Sequence, residues 1–126
     1  MPEQRAKKYH QDRVAETLRE EISAMIGGEL SDPRIRSAHV TQIVLNPGAK
    51  SAQVWVAVTD GPEHEQATID GLMAARGYIR HELLERTGKR RVPDLTFHVD
   101  RSERMTNRIE QLLERSEKRE KRRRNA

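Results

Sequence analysis

The sequence predicts an α+β fold in which a three-stranded sheet is covered on one face by helices. Three observations point there. Val14, Leu18, Ile22, Met25 and Ile26 recur at helical spacing between His10 and Gly27. Two short alternating segments flank the turn signal Asn46-Pro47-Gly48. A third alternating segment follows a second long helical pattern. At 126 residues, 34% apolar and 35% charged, the chain is expected to form one domain with an economical core.

Each element follows from local chemistry. Asp12 can cap the first helix, Gly27-Gly28 weakens its end, and Asp32-Pro33 opposes its continuation. The first strand is expected over Val40–Asn46, with Thr41, Ile43 and Leu45 on one side and Val40 and Val44 on the other. In the second, Ala52, Val54, Val56 and Val58 alternate with Gln53, Trp55, Ala57 and Thr59. Strands this close in sequence are expected to pair antiparallel. Asp60-Gly61-Pro62 opens the second helical region, whose stripe is Ile69, Leu72, Met73, Ile79 and Leu83, and Thr87-Gly88 closes it. Leu95, Phe97 and Val99 then alternate with Asp94, Thr96 and His98, and the long helical connection lets this strand run parallel to the second. Met105, Ile109, Leu112 and Leu113 mark a short amphipathic helix. The expected organisation is a flexible basic N-terminus over 1–9, one domain over 10–115 with the order α-β-β-α-α-β, and a basic disordered tail over 116–126.

Charge locates a candidate surface. The formal net charge is +4, and residues 116–126, with six basic and two acidic side chains, account for all of it. Within the neutral remainder the charge is segregated. Residues 11–75 carry five basic and ten acidic residues, whereas 76–91 carry Arg76, Arg80, Arg86, Lys89, Arg90 and Arg91 against Glu82 and Glu85. A polyanion would find that stretch and the two ends attractive; the alternative is a solvated helix face followed by a solubilising loop. Gly77 lies at the head of the stretch, inside a helical pattern where glycine costs roughly 1 kcal/mol against alanine. It exposes backbone beside Arg76 and Arg80, where paired hydrogen bonds to phosphates become available.

Other chemistry finds little support. The chain has no cysteine, so disulfides, thiolate metal sites and cysteine nucleophiles are excluded. No long apolar run or signal peptide is present, which makes a cytoplasmic protein with no membrane association the expectation. His98, Asp100 and Ser102 cluster at the end of the third strand, but such neighbours serve more often as polar positions and a helix cap. His64 with Glu63 or Glu65 reads as a solvated acidic turn rather than a metal site, and no cofactor is expected. With one Trp, two Tyr and one Phe, an aromatic base-stacking sheet is not supported, although Trp55 falls opposite the valine face and is a candidate contact.

Several runs carry a resemblance. Arg13-Val14-Ala15-Glu16, Ser31-Asp32-Pro33-Arg34-Ile35, Val40-Thr41, Ala75-Arg76-Gly77-Tyr78-Ile79-Arg80 and Arg91-Val92-Pro93-Asp94-Leu95-Thr96-Phe97, with Asp100 and Ser102, occur in the order seen in bacterial ribosome-binding factor A. From about Arg13 to Leu113 the chain resembles that family. The resemblance implies a type II KH-like fold whose usual GxxG loop is replaced by an interhelical kink of Ala-x-Gly form, matched here by Ala75-Arg76-Gly77. It implies a non-enzymatic factor that binds the small (30S) ribosomal subunit and its 16S rRNA. Such a factor assists late maturation, including 5′-end processing of the precursor by other enzymes, and matters most during growth in the cold.

On this reading Arg76, Arg80, Lys89, Arg90 and Arg91 hold phosphates, Ala75–Gly77 sets the docking angle, Arg13 and Arg34 are secondary contacts, and the protein acts as a monomer. The chain departs from the family's pattern at Asn46-Pro47-Gly48, where Ser-x-Asp is common, and at Thr106, where a glycine is common. Two alternatives stand beside this reading. One is a protein-interaction adaptor docking through Met105–Leu113, with a tail that only solubilises; the other is a generic KH-like RNA-binding regulator.

Overall fold

The computed structural model describes residues 2–35, 37–89 and 91–125. Helix α1, Pro2–Ala24, passes into a π-helical turn, Met25–Glu29. Strands β1, Ala38–Leu45, and β2, Ser51–Val58, form a hairpin around the short turn Pro47–Ala49. Helices α2, Glu65–Ala74, and α3, Arg76–Thr87, lead to β3, Asp94–Val99, and α4, Ser102–Arg124, ends the description. The expected α-β-β-α-α-β order is present, followed by the amphipathic helix.

The sheet order is β1-β2-β3, with β1 antiparallel and β3 parallel to β2, as the sequence predicts. Val54, Val56, Leu95 and Phe97 turn to one face, against Leu18, Ile22, Met25, Leu72, Ile79 and Leu83 from the helices. On the other face Trp55 stacks at a tilt on His98 with ring centroids 4.8 Å apart, and the first turn of α4 lies beside Ala57. This matches the placement of Trp55 opposite the valines.

β1 corrects one expectation. Val40 pairs with Val56, but Gln42 rather than Thr41 pairs with Trp55, so Thr41 is the extra residue of a bulge. The inserted residue shifts the alternation, and Val40 joins Ile43 and Leu45 on the core side. The Thr41 hydroxyl is thereby aimed at Asp100, to which it donates at 2.6 Å.

Both ends differ from expectation. Where the sequence reading has a flexible lead-in over 1–9, α1 already begins at Pro2, a residue favoured at the first helical position. Where it has a disordered tail from 116, α4 continues to Arg124. Glu114 and Lys118, Glu117 and Lys121, and Glu120 and Arg124 stand four residues apart with the acid first, the spacing that supports an exposed helix without a core. Every described residue of α4 is exposed.

Candidate nucleic-acid interface

The helical region breaks at one residue. Ala75, at φ −85° and ψ −2°, separates α2 from α3, and its amide donates to the Gly71 carbonyl at 3.0 Å. Ala75-Arg76-Gly77 is therefore an interhelical kink, which apolar periodicity alone does not reveal because Ile79 and Leu83 are buried in register with Leu72. Gly77 is not required by the fold. Its φ lies outside the left-handed region, and a Cβ built on it meets no atom within 4 Å. Space above this backbone is open.

Arg76, Arg80 and Tyr78 are exposed around that space, Tyr78 at 49%. Arg80 Nη1 is 3.0 Å from Asp94 Oδ1, so the start of β3 holds this side chain. Arg76, Lys89 and Arg91 are exposed and have no carboxylate partner among the described residues. Arg90 lies outside the described residues. Gly88, at φ +64°, ends α3 in the left-handed conformation and turns the chain into the basic loop.

Arg86 behaves differently from its neighbours in sequence. It hydrogen-bonds Glu82 at 3.4 Å, Glu21 of α1 at 3.5 Å, and both oxygens of Glu29 in the π-helical turn. Glu29 is the main reason its guanidinium is held further into the protonated state. Arg86 thus ties α3 to α1, and its charge is already matched.

The two outlying candidates fare differently. Arg13 sits 5.9 Å from the Tyr9 ring centroid, and both line a shallow cleft with His10, Val14, Thr17 and Lys89. Helix α1 and the turn at Gly88 thus bring Arg13 and Lys89 together. Tyr9 in this cleft and Tyr78 are exposed aromatic side chains absent from the sequence-predicted site; their closeness in sequence to Arg13 and Arg76 is the available signal. Arg34 instead forks onto Asp32, with Nη2 at 2.7 Å and Nε at 3.0 Å from Oδ2. That pair lowers the Asp32 pKa and raises that of Arg34, chiefly through the hydrogen bonds between the two side chains.

The cluster at the end of β3 is structural. Asp100 Oδ1 accepts from the Ser102 hydroxyl at 2.6 Å and its amide at 2.9 Å, while Oδ2 accepts from Thr41. Ser102 is thus bonded to the carboxylate rather than to His98, which stacks on Trp55. Glu65 accepts from Arg101 and Arg104, and His64 pairs only loosely with Glu63, at 3.5 Å. Among the described residues no group of three potential ligands could hold a metal ion, and no helix is long and apolar enough to cross a membrane.

The chain matches the family model described as ribosome-binding factor A over residues 10–113. It is 47% identical over 119 residues to the ribosome-binding factor A of Koribacter versatilis, covering 94% of this chain and 97% of that one. The Thermomicrobium roseum protein of the same name is 36% identical, with 83% and 81% covered. The crystal structure of ribosome-binding factor A from Thermus thermophilus superposes with a TM-score of 0.63 at 22% identity, covering 71% of this chain and 93% of that one. A model of the Thermus thermophilus factor fitted into the cryo-EM map of a 30S–RbfA complex gives a TM-score of 0.53 at 24% identity, with 68% and 93% covered. With its KH-like order, its kink at Ala75 and these matches along nearly its whole length, the chain belongs to the ribosome-binding factor A family.

Proposed function

We propose that this protein is a non-enzymatic, cytoplasmic assembly factor that binds the small ribosomal subunit as a monomer. It contacts 16S rRNA with the kink and the basic loop. In this role it assists late maturation, including 5′-end processing of the precursor by other enzymes, and cells lacking it grow poorly in the cold. The observation that carries the reading is the open backbone at Gly77, bordered by Arg76, in a member of this family. Phosphates can approach the glycine backbone closely while Arg76, Arg80, Lys89, Arg90 and Arg91 supply the counter-charge. Arg13 extends that surface through its shared cleft with Lys89, and the basic end of α4 adds reach. Arg34, already forked onto Asp32, contributes through the loop it fixes.

Co-sedimentation with purified small subunits across a salt series tests this. Affinity is expected to fall steeply with salt, because each phosphate contact releases counterions. An Arg76→Glu, Arg80→Glu double variant is expected to lose subunit binding while its thermal melt stays unchanged. Salt-insensitive association, or normal binding by that variant, overturns the reading.

A further inference from the structure

Helix α4 turns its polar side to the domain and its apolar side to solvent. Glu103, Arg104 and Asn107 line a cleft with Ala57, Thr59 and Pro62. Met105, Ile109, Leu112 and Leu113 project from the opposite side and are 54–60% exposed. A helix that packs on its own domain does the reverse. The first turn is also clamped in this orientation. Glu65, 8% exposed, accepts from Arg101 at 2.8 Å and Arg104 at 2.6 Å, while Asp100 holds Ser102 and Thr41. Rolling the stripe inward would break these bonds.

The surroundings of the stripe narrow what could cover it. Arg108, Arg115 and Arg119 run along one flank with no acidic residue among them, and Glu117 and Glu120 lie on the other. RNA would satisfy the arginines but offers no apolar surface to Met105, Ile109 and Leu112. A second copy is disfavoured in either direction. A parallel pair gathers both Lys121–Arg124 runs at one end, and an antiparallel pair crossing at Ile109 sets Arg108 beside its own copy. Four side chains per copy also cover far less than a stable dimer interface needs. The spacing 105, 109, 112 is instead that of a helix lying in a groove.

We propose that α4 is a docking helix for a protein partner. The partner's apolar groove takes Met105, Ile109 and Leu112, and carboxylates along one rim meet Arg108, Arg115 and Arg119. The test uses the full chain carrying a benzophenone amino acid at position 109, irradiated in cells, with adducts mapped by mass spectrometry. The expected adduct is a protein peptide that is apolar and flanked by Asp or Glu. That protein, once purified, is expected to bind the full chain, and Leu112→Asp and Arg115→Glu each weaken the complex about tenfold or more. Both positions are exposed, so the variants fold, and Arg76→Glu leaves this affinity unchanged. Adducts confined to RNA or to a second copy of the chain overturn the proposal. So does the lack of any adduct from position 109, or a purified complex indifferent to Leu112→Asp.

Discussion

Arg80 Nη1 lies 3.0 Å from Asp94 Oδ1, so one of the arginines beside the kink is already paired with the residue that opens β3. Both side chains are at least half exposed, and such a pair adds little to stability. It does compete with any phosphate that approaches Arg80. Asp94→Asn is therefore expected to raise small-subunit affinity by about two- to fivefold at low salt, with the gain fading as salt screens the site. Co-sedimentation measures the affinity, and a thermal melt should hardly move. A fall in affinity would mean that Asp94 orients Arg80 for its contact.

Gly77 permits a test in which stability and binding move in opposite directions. Its backbone is compatible with any L residue, and a Cβ there touches nothing within 4 Å. Gly77→Ala is thus expected to stabilise the fold by about 0.5–1 kcal/mol, raising Tm by about 2–4 °C. If phosphates occupy the open space, the same methyl group blocks them and subunit affinity drops. A variant that is more stable and binds normally would remove Gly77 from the interface.

Most of the fold is legible in the sequence because it rests on short-range signals. The β1–β2 turn, the parallel β3 and the break before Pro33 all follow from spacing and from proline and glycine chemistry. What is not legible depends on partners far along the chain. Thr41 gives no sign of a bulge, since its hydroxyl partner, Asp100, is 59 residues away. Arg86 counts as part of the basic stretch until Glu21 and Glu29, from another helix and its terminal turn, are seen to match it. The length of α4 is missed for a different reason. Its apolar stripe stops at Leu113, whereas the helix beyond is carried by acid–base pairs that hydrophobic periodicity does not register. Within the candidate site, charge counting finds Arg76, Lys89 and Arg91, but only the fold brings Arg13 into a cleft with Lys89.

Trp55 is the sole tryptophan, so its fluorescence reports the sheet face opposite the core alone. His98 covers part of the indole at 4.8 Å. His98→Ala is expected to let water reach the ring and shift its emission to the red, with helix content by circular dichroism unchanged. An unshifted spectrum would show that other neighbours, not His98, shield Trp55.

The clamp at the root of α4 should fail in acid. The Arg101 hydrogen bond, outweighing burial, holds the Glu65 carboxyl below its usual range, and the Ser102 hydroxyl and then Thr41 do the same for Asp100. A carboxylate depressed in the folded state stabilises fully above the unfolded value, and that stabilisation is lost as pH falls through the folded one. Both groups therefore hold α4 at neutral pH and release it progressively below about pH 4. Because the chain has no cysteine, a nitroxide on Thr106→Cys reports only this helix. Its mobility is expected to be low and constant from pH 7 to about pH 5 and to rise below about pH 4. Glu65→Gln removes the charge that Arg101 and Arg104 share, costs about 1–2 kcal/mol, and should make the label mobile already at pH 7. A label equally immobile at pH 7 and pH 3 in the unmutated background would show that packing, not these two carboxylates, sets the direction of α4.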